Sequence, residues 1–364
     1  MAIVKSTKIL RMEARLETMP EYIVAFAVAM SLALIVTPAV IKLAIKTGAV
    51  DKPDERKVHK VPIPRIGGLG IYISFMFAVA FYIFSSYIDH ETLHQLKGLL
   101  VSGSLIVALG LVDDYKNLPA KVKLLGQILA ATVLVVGFDV RIDFITDPLG
   151  DYIYLEWVAV PATIFWLVGL TNTINLIDGL DGLAAGVSSI ASVTILLVAL
   201  KQNFLVVTIL TAALAGASVG FLFYNSNPAR IFMGDSGSMF LGFMLAGISV
   251  IGAVKSTATI ALIVPILALG LPILDTAFAI VRRYRGGRPI FQPDKGHLHH
   301  RLLSLGFTQR QAVFLMYVIS AMLGLSAVAL TEVNSQIAML ILIAVVVAVG
   351  YGAKKLGVLR FTRD

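Results

Sequence analysis

The segment Asn172-Thr-Ile-Asn175-Leu-Ile-Asp178-Gly-Leu-Asp181-Gly-Leu183 sets two amides and two carboxylates at the end of an apolar run that begins near Trp157. Asn172 and Asn175 stand three residues apart, as do Asp178 and Asp181, so within a helical turn each pair shares a face. Gly179 and Gly182 follow the two acids and let backbone come close to a bulky ligand. Four oxygen-bearing side chains at one end of a hydrophobic segment suit a hard divalent cation and a diphosphate at a membrane surface. The plainer reading is a polar loop that only solvates a helix end.

Other chemistry-bearing residues recur in the same setting. Asp113-Asp114 closes the apolar run Leu105–Val112. Ionised carboxylates at hydrocarbon depth cost about 2.5–3.5 kcal/mol each on insertion scales, so such residues face a polar cavity or the interface. The pair reads either as an interfacial stop countered by Lys116 and Lys121, or as acids that position a metal or take a proton. Lys123, opening the next apolar run, reads as a snorkelling anchor or a phosphate contact. In Asn225-Ser-Asn-Pro-Ala-Arg-Ile-Phe232-Met-Gly-Asp235-Ser-Gly, Phe232 could stack on a nucleobase whose edge Asn225 reads, or anchor in lipid. Gly-Asp-Ser-Gly also reads as a helix start with Asp235 at the cap. His297, His299 and His300 sit beside Arg301 after a very basic loop. With no cysteine and no zinc-type spacing, phosphate or sugar contact fits them better than zinc.

The elements that must position these residues are apolar. The chain has 364 residues, 58% of them hydrophobic and 14% charged, and a mean hydropathy of +0.88. Windows of about 20 apolar residues recur throughout, the length a helix needs to cross hydrocarbon. They predict an all-α polytopic membrane protein with about eleven spans, at 22–45, 67–88, 97–113, 122–138, 157–177, 183–200, 204–224, 238–254, 258–281, 311–330 and 335–353. A single transmembrane domain over 22–353 would lie between an amphipathic extension, 1–21, and a basic tail, 354–364. Lys and Arg crowd the loops after spans 1, 3 and 9 and the C-terminal tail, which predicts an outer N-terminus and a cytoplasmic C-terminus. Lys5, Lys8, Arg11 and Arg15 on the predicted outer side disagree, partly offset by Glu13, Glu17 and Glu21. Every polar cluster then falls on the cytoplasmic face, which positive-inside asymmetry does not explain, because it concerns Lys and Arg and not Asp, Asn and His. A secondary transporter would hold its polar groups near the midplane, and a scaffold protein would not need them. The net charge of +8 suits anionic lipid or bound phosphate without invoking nucleic acid.

These motifs resemble the polyprenyl-phosphate N-acetylhexosamine-1-phosphate transferases over roughly residues 45–305. The similarity rests on Asp51-Lys-Pro through Arg-Lys-Val-His59, Pro64-Arg-Ile-Gly-Gly68, Asp113-Asp114 with Lys123-Leu-Leu-Gly-Gln127, the Asn172–Gly182 stretch, Phe232-Met-Gly-Asp-Ser-Gly-Ser238 and His297-Leu-His-His-Arg301. The family's acidic signature is often Asp-Asp-x-x-Asp, whereas this chain carries Asn117 at the last position. The resemblance implies Mg²⁺, with Mn²⁺ as a substitute, on Asn175 and Asp235. It further implies uridine held by Phe232, Asn225 and Asp181, with Lys123 on phosphate. Asp113 or Asp114 would ready the lipid phosphate for attack. Asp51, Asn172 and Asp178 would complete the substrate site, and Arg288, His297, His299, His300 and Arg301 would contact the sugar phosphate. The implied reaction joins UDP-GlcNAc to undecaprenyl phosphate with loss of UMP, in a multi-pass protein of the cytoplasmic membrane. Other UDP-amino sugars, UDP-MurNAc-pentapeptide and a homodimer stay open.

Overall fold

A computed structural model describes residues 20–51, 62–146, 152–255, 262–287 and 296–355. The apolar runs form helices α1 (Glu21–Thr47), α2 (Gly68–Ser85), α3 (His90–Lys116), α4 (Ala120–Gly137), α5 (Ala159–Ile177), α6 (Leu183–Lys201), α7 (Leu205–Asn225) and α8 (Gly234–Lys255). After them come α9 (Ile263–Ala268), α10 (Gly270–Arg285), α11 (Leu298–Ser304), α12 (Gln309–Leu330) and α13 (Ser335–Lys355). Among the described residues, nine helices are long and apolar enough to cross a membrane, and α13 adds a shorter apolar stretch over Gln336–Gly352. Large side chains such as Phe84, Trp157 and Phe165 are exposed on the bundle's outside, where lipid replaces water as solvent. The chain is an all-α polytopic membrane protein. The described strands form two short antiparallel ribbons, β1 (Val50–Asp51) with β2 (Ile63–Pro64), and β3 (Phe144–Thr146) with β4 (Tyr152–Tyr154).

Helix α8 is the axis of the bundle. Its apolar window is 94% buried, against 28% for α1 and for α4, and α2, α3, α5, α6 and α7 all pack on it. The sequence Gly-Asp-Ser-Gly-Ser at its start explains the closeness, since small residues let helix backbones approach in a medium that supplies no hydrophobic drive. A Cβ at Gly68, the first residue of α2, would lie 2.1 Å from the Gly237 nitrogen. Neither residue leaves room for a side chain.

Two elements differ from the pattern of apolar runs. Helix α3 starts at His90, ahead of the predicted span at 97, because Asp89 accepts a hydrogen bond from the Thr92 amide (2.9 Å) and caps a polar first turn. The segment predicted as one span at 258–281 is divided: α9 ends at Ala268 and α10 begins at Gly270. Pro272 has no N–H to offer the Ala268 carbonyl, so a continuous helix would lose that bond, whereas a proline in the first turn of α10 costs nothing. Residues 1–19 of the predicted amphipathic extension and 356–364 of the basic tail lie outside the described residues.

Candidate active site

The C-terminal ends of α1, α3, α5 and α7 meet the N-terminal ends of α2, α4, α6, α8 and α12 at one end of the bundle. There they enclose a cavity of about 750 Å³ whose walls include Asp51, Arg65, Asp114, Asn175, Asp178, Asp181, Asn225, Phe232, Asp235 and His300. Loop closure is by backbone: Phe232 donates to the Pro64 carbonyl (2.7 Å), while Gly67 and Gly68 donate to the carbonyls of Phe232 and Met233 (3.0 and 2.8 Å). The Pro-Arg-Ile-Gly-Gly and Phe-Met-Gly-Asp motifs are thereby one rigid wall, with Phe232 half-buried on the cavity side.

Asp114 lies at the join of α3 and α8. Its Oδ1 accepts from the Asp235 amide (2.9 Å), and its Oδ2 accepts from the Ser236 amide (3.1 Å) and hydroxyl (2.7 Å). One carboxylate thus caps the N-terminus of the central helix, whose unpaired amides and dipole favour a negative charge. Asp113 is buried beside it, accepting from the Leu118 amide and from Lys123 Nζ (2.8 Å). Lys123 Nζ also lies 3.7 Å from Asp235 Oδ1. Asn175 Nδ2 donates to the same Asp235 oxygen and to Ser238 Oγ (2.9 Å). Asp235 is therefore not the cap of its own helix: it projects into the cavity, held by an amide and a lysine.

The Asp178–Gly182 loop forms the opposite wall. Asp181 Oδ2 accepts from Asn227 Nδ2 (2.9 Å) and the Ala229 amide (3.1 Å). Among the described residues Asp178 has no hydrogen bond to its carboxylate, and its pKa is pushed up to about 8 by burial and then by Asp235, Asp114 and Asp181 facing it. A cluster of mutually repelling carboxylates at the mouth of a cavity is a place for cations.

The histidines meet this loop from the far side. Asp275 on α10 holds the start of α11: its Oδ2 lies 2.9 Å from His297 Nδ1, and its Oδ1 accepts from the Leu298 amide (2.8 Å). His297 and His299 stack at 5.8 Å, and His299 and His300 tilt together at 4.2 Å. His299 is buried, with its pKa lowered to about 4 by desolvation and then by His300, so it is neutral at physiological pH. It presses on Gly179, where a Cβ would come within 2.6 Å of its Nε2. That contact accounts for glycine between the two acids.

Several expected roles change on this geometry. Asn225 is buried, and its amide bonds to protein: Oδ1 accepts from the Gly182 amide (3.0 Å) and Nδ2 donates to the Ile231 carbonyl (2.9 Å). It joins two loops, and one N–H of its amide is left on the side of the cavity it helps to line. Asn172 pairs with Gln127 (2.6 Å) and the Val168 carbonyl (2.8 Å) and does not line the cavity. Asp113, Lys123, His297, His299 and Arg301 likewise do not line the cavity, whereas His300 does. Arg288 lies outside the described residues. Arg65, Asn227, Ser238 and Asp275 join the site without having been singled out. Asp275 carried a sequence signal, being a lone acid in the apolar stretch Leu271-Pro-Ile-Leu-Asp275.

No described group of three His, Cys, Asp or Glu side chains forms a cage for a metal ion. The donors fit instead a hard cation held by one or two carboxylates and an amide oxygen, with phosphate and water completing six ligands, as Mg²⁺ prefers. Asp235, Asp178 and the Oδ1 of Asn175 are such a set.

A helical membrane bundle with an acid-lined cavity at one end defines a membrane-embedded enzyme working on a charged ligand at the bilayer surface. The profile of glycosyl transferase family 4 matches residues 96–253. The chain is 41% identical over 332 residues to the probable undecaprenyl-phosphate N-acetylglucosaminyl 1-phosphate transferase of Bacillus subtilis (strain 168), covering 91% of each chain. It is 38% identical to a decaprenyl-phosphate N-acetylglucosaminephosphotransferase of Mycolicibacterium smegmatis, covering 84% of this chain and 82% of the relative. To the undecaprenyl-phosphate alpha-N-acetylglucosaminyl 1-phosphate transferase of Salmonella typhi it is 29% identical, covering 78% and 77%. The chain belongs to the polyprenyl-phosphate N-acetylglucosamine-1-phosphate transferases of glycosyl transferase family 4.

Proposed function

We propose that this protein transfers GlcNAc-1-phosphate from UDP-GlcNAc to undecaprenyl phosphate, releasing UMP and forming undecaprenyl-diphospho-GlcNAc. The observation that carries the reading is the acid-walled cavity at the bundle end, with both Asp178 and Asp235 on its wall. The relatives' names supply the donor sugar and the lipid acceptor. Phe232 carries the phenyl ring on the described cavity wall, and its role in this reading is to stack on uracil.

Mg²⁺ on Asp235, Asp178 and Asn175 would neutralise the diphosphate and stabilise charge on the leaving UMP. Asn175 orients Asp235 through its amide, and Lys123 holds Asp113 and Asp235 together. Asp114, locked on the amides of α8, fixes the wall against which the phosphates lie. The attacking group is a lipid phosphate already ionised at neutral pH, so positioning and charge neutralisation provide most of the catalysis. The cavity faces the cytoplasm, with the N-terminus outside and the C-terminus inside, in the cytoplasmic membrane.

The test is UMP release from UDP-GlcNAc by purified protein, with and without undecaprenyl phosphate and with EDTA or Mg²⁺. Release that needs both the lipid and the cation is the expected result. Turnover undiminished in EDTA, or no release with any UDP-amino sugar, is the contrary one.

A further inference from the structure

The described part of the cavity wall carries five aspartates, at 51, 114, 178, 181 and 235, and one arginine, Arg65. Arg65 directly follows β2. Its amide donates to the Ala49 carbonyl (3.0 Å), and the neighbouring residues are tied to the Phe232 loop. Its backbone therefore cannot drift from the wall that carries Phe232. Among the described residues its guanidinium has two polar neighbours. Nη2 lies 3.6 Å from Asp114 Oδ1, and both Nη1 and Nη2 donate to Asn117 Oδ1 at 3.4 Å. Asn117 holds that position because it ends α3 in the left-handed conformation (φ 49°), which asparagine tolerates better than most residues.

The charge balance around Arg65 is uneven. Asp114 is its only close carboxylate among the described residues, and that carboxylate is already shared by two helix amides and a hydroxyl. Its second neighbour is neutral, because asparagine stands where an aspartate would have made a second ion pair. A guanidinium has five N–H donors in a planar fork, and two long contacts to one amide oxygen leave most of that capacity unspent. On these grounds we infer that Arg65 is a phosphate-binding residue of the site and that Asn117 is its positioning residue, aiming the guanidinium without cancelling its charge. The ligand is a phosphate ester, either the diphosphate of the nucleotide sugar or the phosphate of the lipid. The inference rests on the function proposed above and adds two residues to it.

The experiment uses the full-length protein in detergent with Mg²⁺ and compares wild type with Arg65→Ala, Arg65→Lys, Asn117→Asp and Asn117→Ala. Affinity is measured for uridine, UMP, UDP and UDP-GlcNAc, and KM for undecaprenyl phosphate is measured at saturating UDP-GlcNAc. Arg65→Ala and Asn117→Asp should each weaken the phosphate-bearing ligand by roughly 10- to 100-fold, the loss of a charge-assisted bond. Asn117→Ala should do so by a few-fold, and uridine affinity should hold in all four variants. A loss on UDP and UDP-GlcNAc assigns Arg65 to the nucleotide diphosphate. A rise in KM for undecaprenyl phosphate with UDP affinity unchanged assigns it to the lipid phosphate, and either outcome supports the inference. Arg65→Lys, which keeps the charge but loses the fork, should fall between wild type and Arg65→Ala. Equal losses on uridine and UDP would make Arg65 a structural clamp of Asp114, and unchanged affinities for every phosphate ligand would remove it from the site. A wild-type protein that binds neither nucleotide nor lipid phosphate overturns both this inference and the function beneath it.

Discussion

At the scale of single residues, the site is defined by which carboxylates are satisfied and which are not. Among the described residues Asp178 has no hydrogen bond to its carboxylate, and its pKa is pushed up to about 8 from an ordinary 3.8. A carboxyl raised in this way is neutral in folded and unfolded chains alike below pH ~4 and costs nothing there. As pH rises towards about 8 the unfolded chain ionises first, so the metal-free protein loses stability across that window. Its melting temperature in detergent with EDTA should fall between pH 5 and pH 8 (about), and Asp178→Asn should flatten that fall. Mg²⁺ should raise the melting temperature more at the alkaline end, since binding needs the carboxylate deprotonated. An Asp178→Asn variant that keeps the wild-type slope would place the repulsion elsewhere. Asp114, by contrast, has both carboxylate oxygens hydrogen-bonded. Its oxygens cap α8, so Asp114→Asn turns an amide N–H towards an amide or hydroxyl donor and should lose about 1–3 kcal/mol of stability as well as activity. The cap geometry gives this acid a part in holding the fold as well as a place on the cavity wall. Phe232→Ala should weaken UMP binding by about 1–3 kcal/mol, measured by titration, while leaving the melting temperature nearly unchanged.

At the scale of elements, the apolar runs show the helices because about 20 hydrophobic residues in sequence have one stable form in lipid. Ends and breaks are harder to read, since they depend on one or two residues such as Asp89 and Pro272. The site was legible as a set of polar clusters but not as a division of labour within it. An asparagine at a helix end looks the same in sequence whether it reads a base or, like Asn225, ties two backbones together. Asn172 and Asn175 repeat in sequence, yet one turn of α5 separates a buried amide pair with Gln127 from the cavity wall. Which helices press together was not legible, since it rests on single glycines such as Gly68 and Gly237 that the apolar pattern does not single out. Gly68→Ala should test that pressing directly, because its Cβ would collide with backbone of α8 that has no rotamer to yield. The expected result is a variant that is poorly folded in detergent, with a lowered melting temperature and a broadened size-exclusion peak.

At the scale of the whole molecule, helix ends bearing acids, amides and histidines gather at one face, which is what the one-sided motifs predict. The chain has no cysteine, so single-cysteine variants report orientation cleanly. Ser304→Cys, near the histidines, should resist an impermeant maleimide in intact cells, and Asn203→Cys, at the opposite end of α6, should react. The reverse pattern would turn the cavity outward. Helix α8 has a further consequence for how the protein lives in its membrane. It is sheathed by other helices and touches almost no lipid. The hydrophobic thickness of the bilayer therefore cannot set its tilt, and Asp235 keeps its depth when the acyl chains are shortened or lengthened. Helix α4, which carries Lys123, is mostly lipid-facing. Reconstituted across bilayers of different thickness, the protein should hold its nucleotide affinity at the Phe232 wall, and any change in turnover should enter through the lysine that α4 carries towards or away from Asp235.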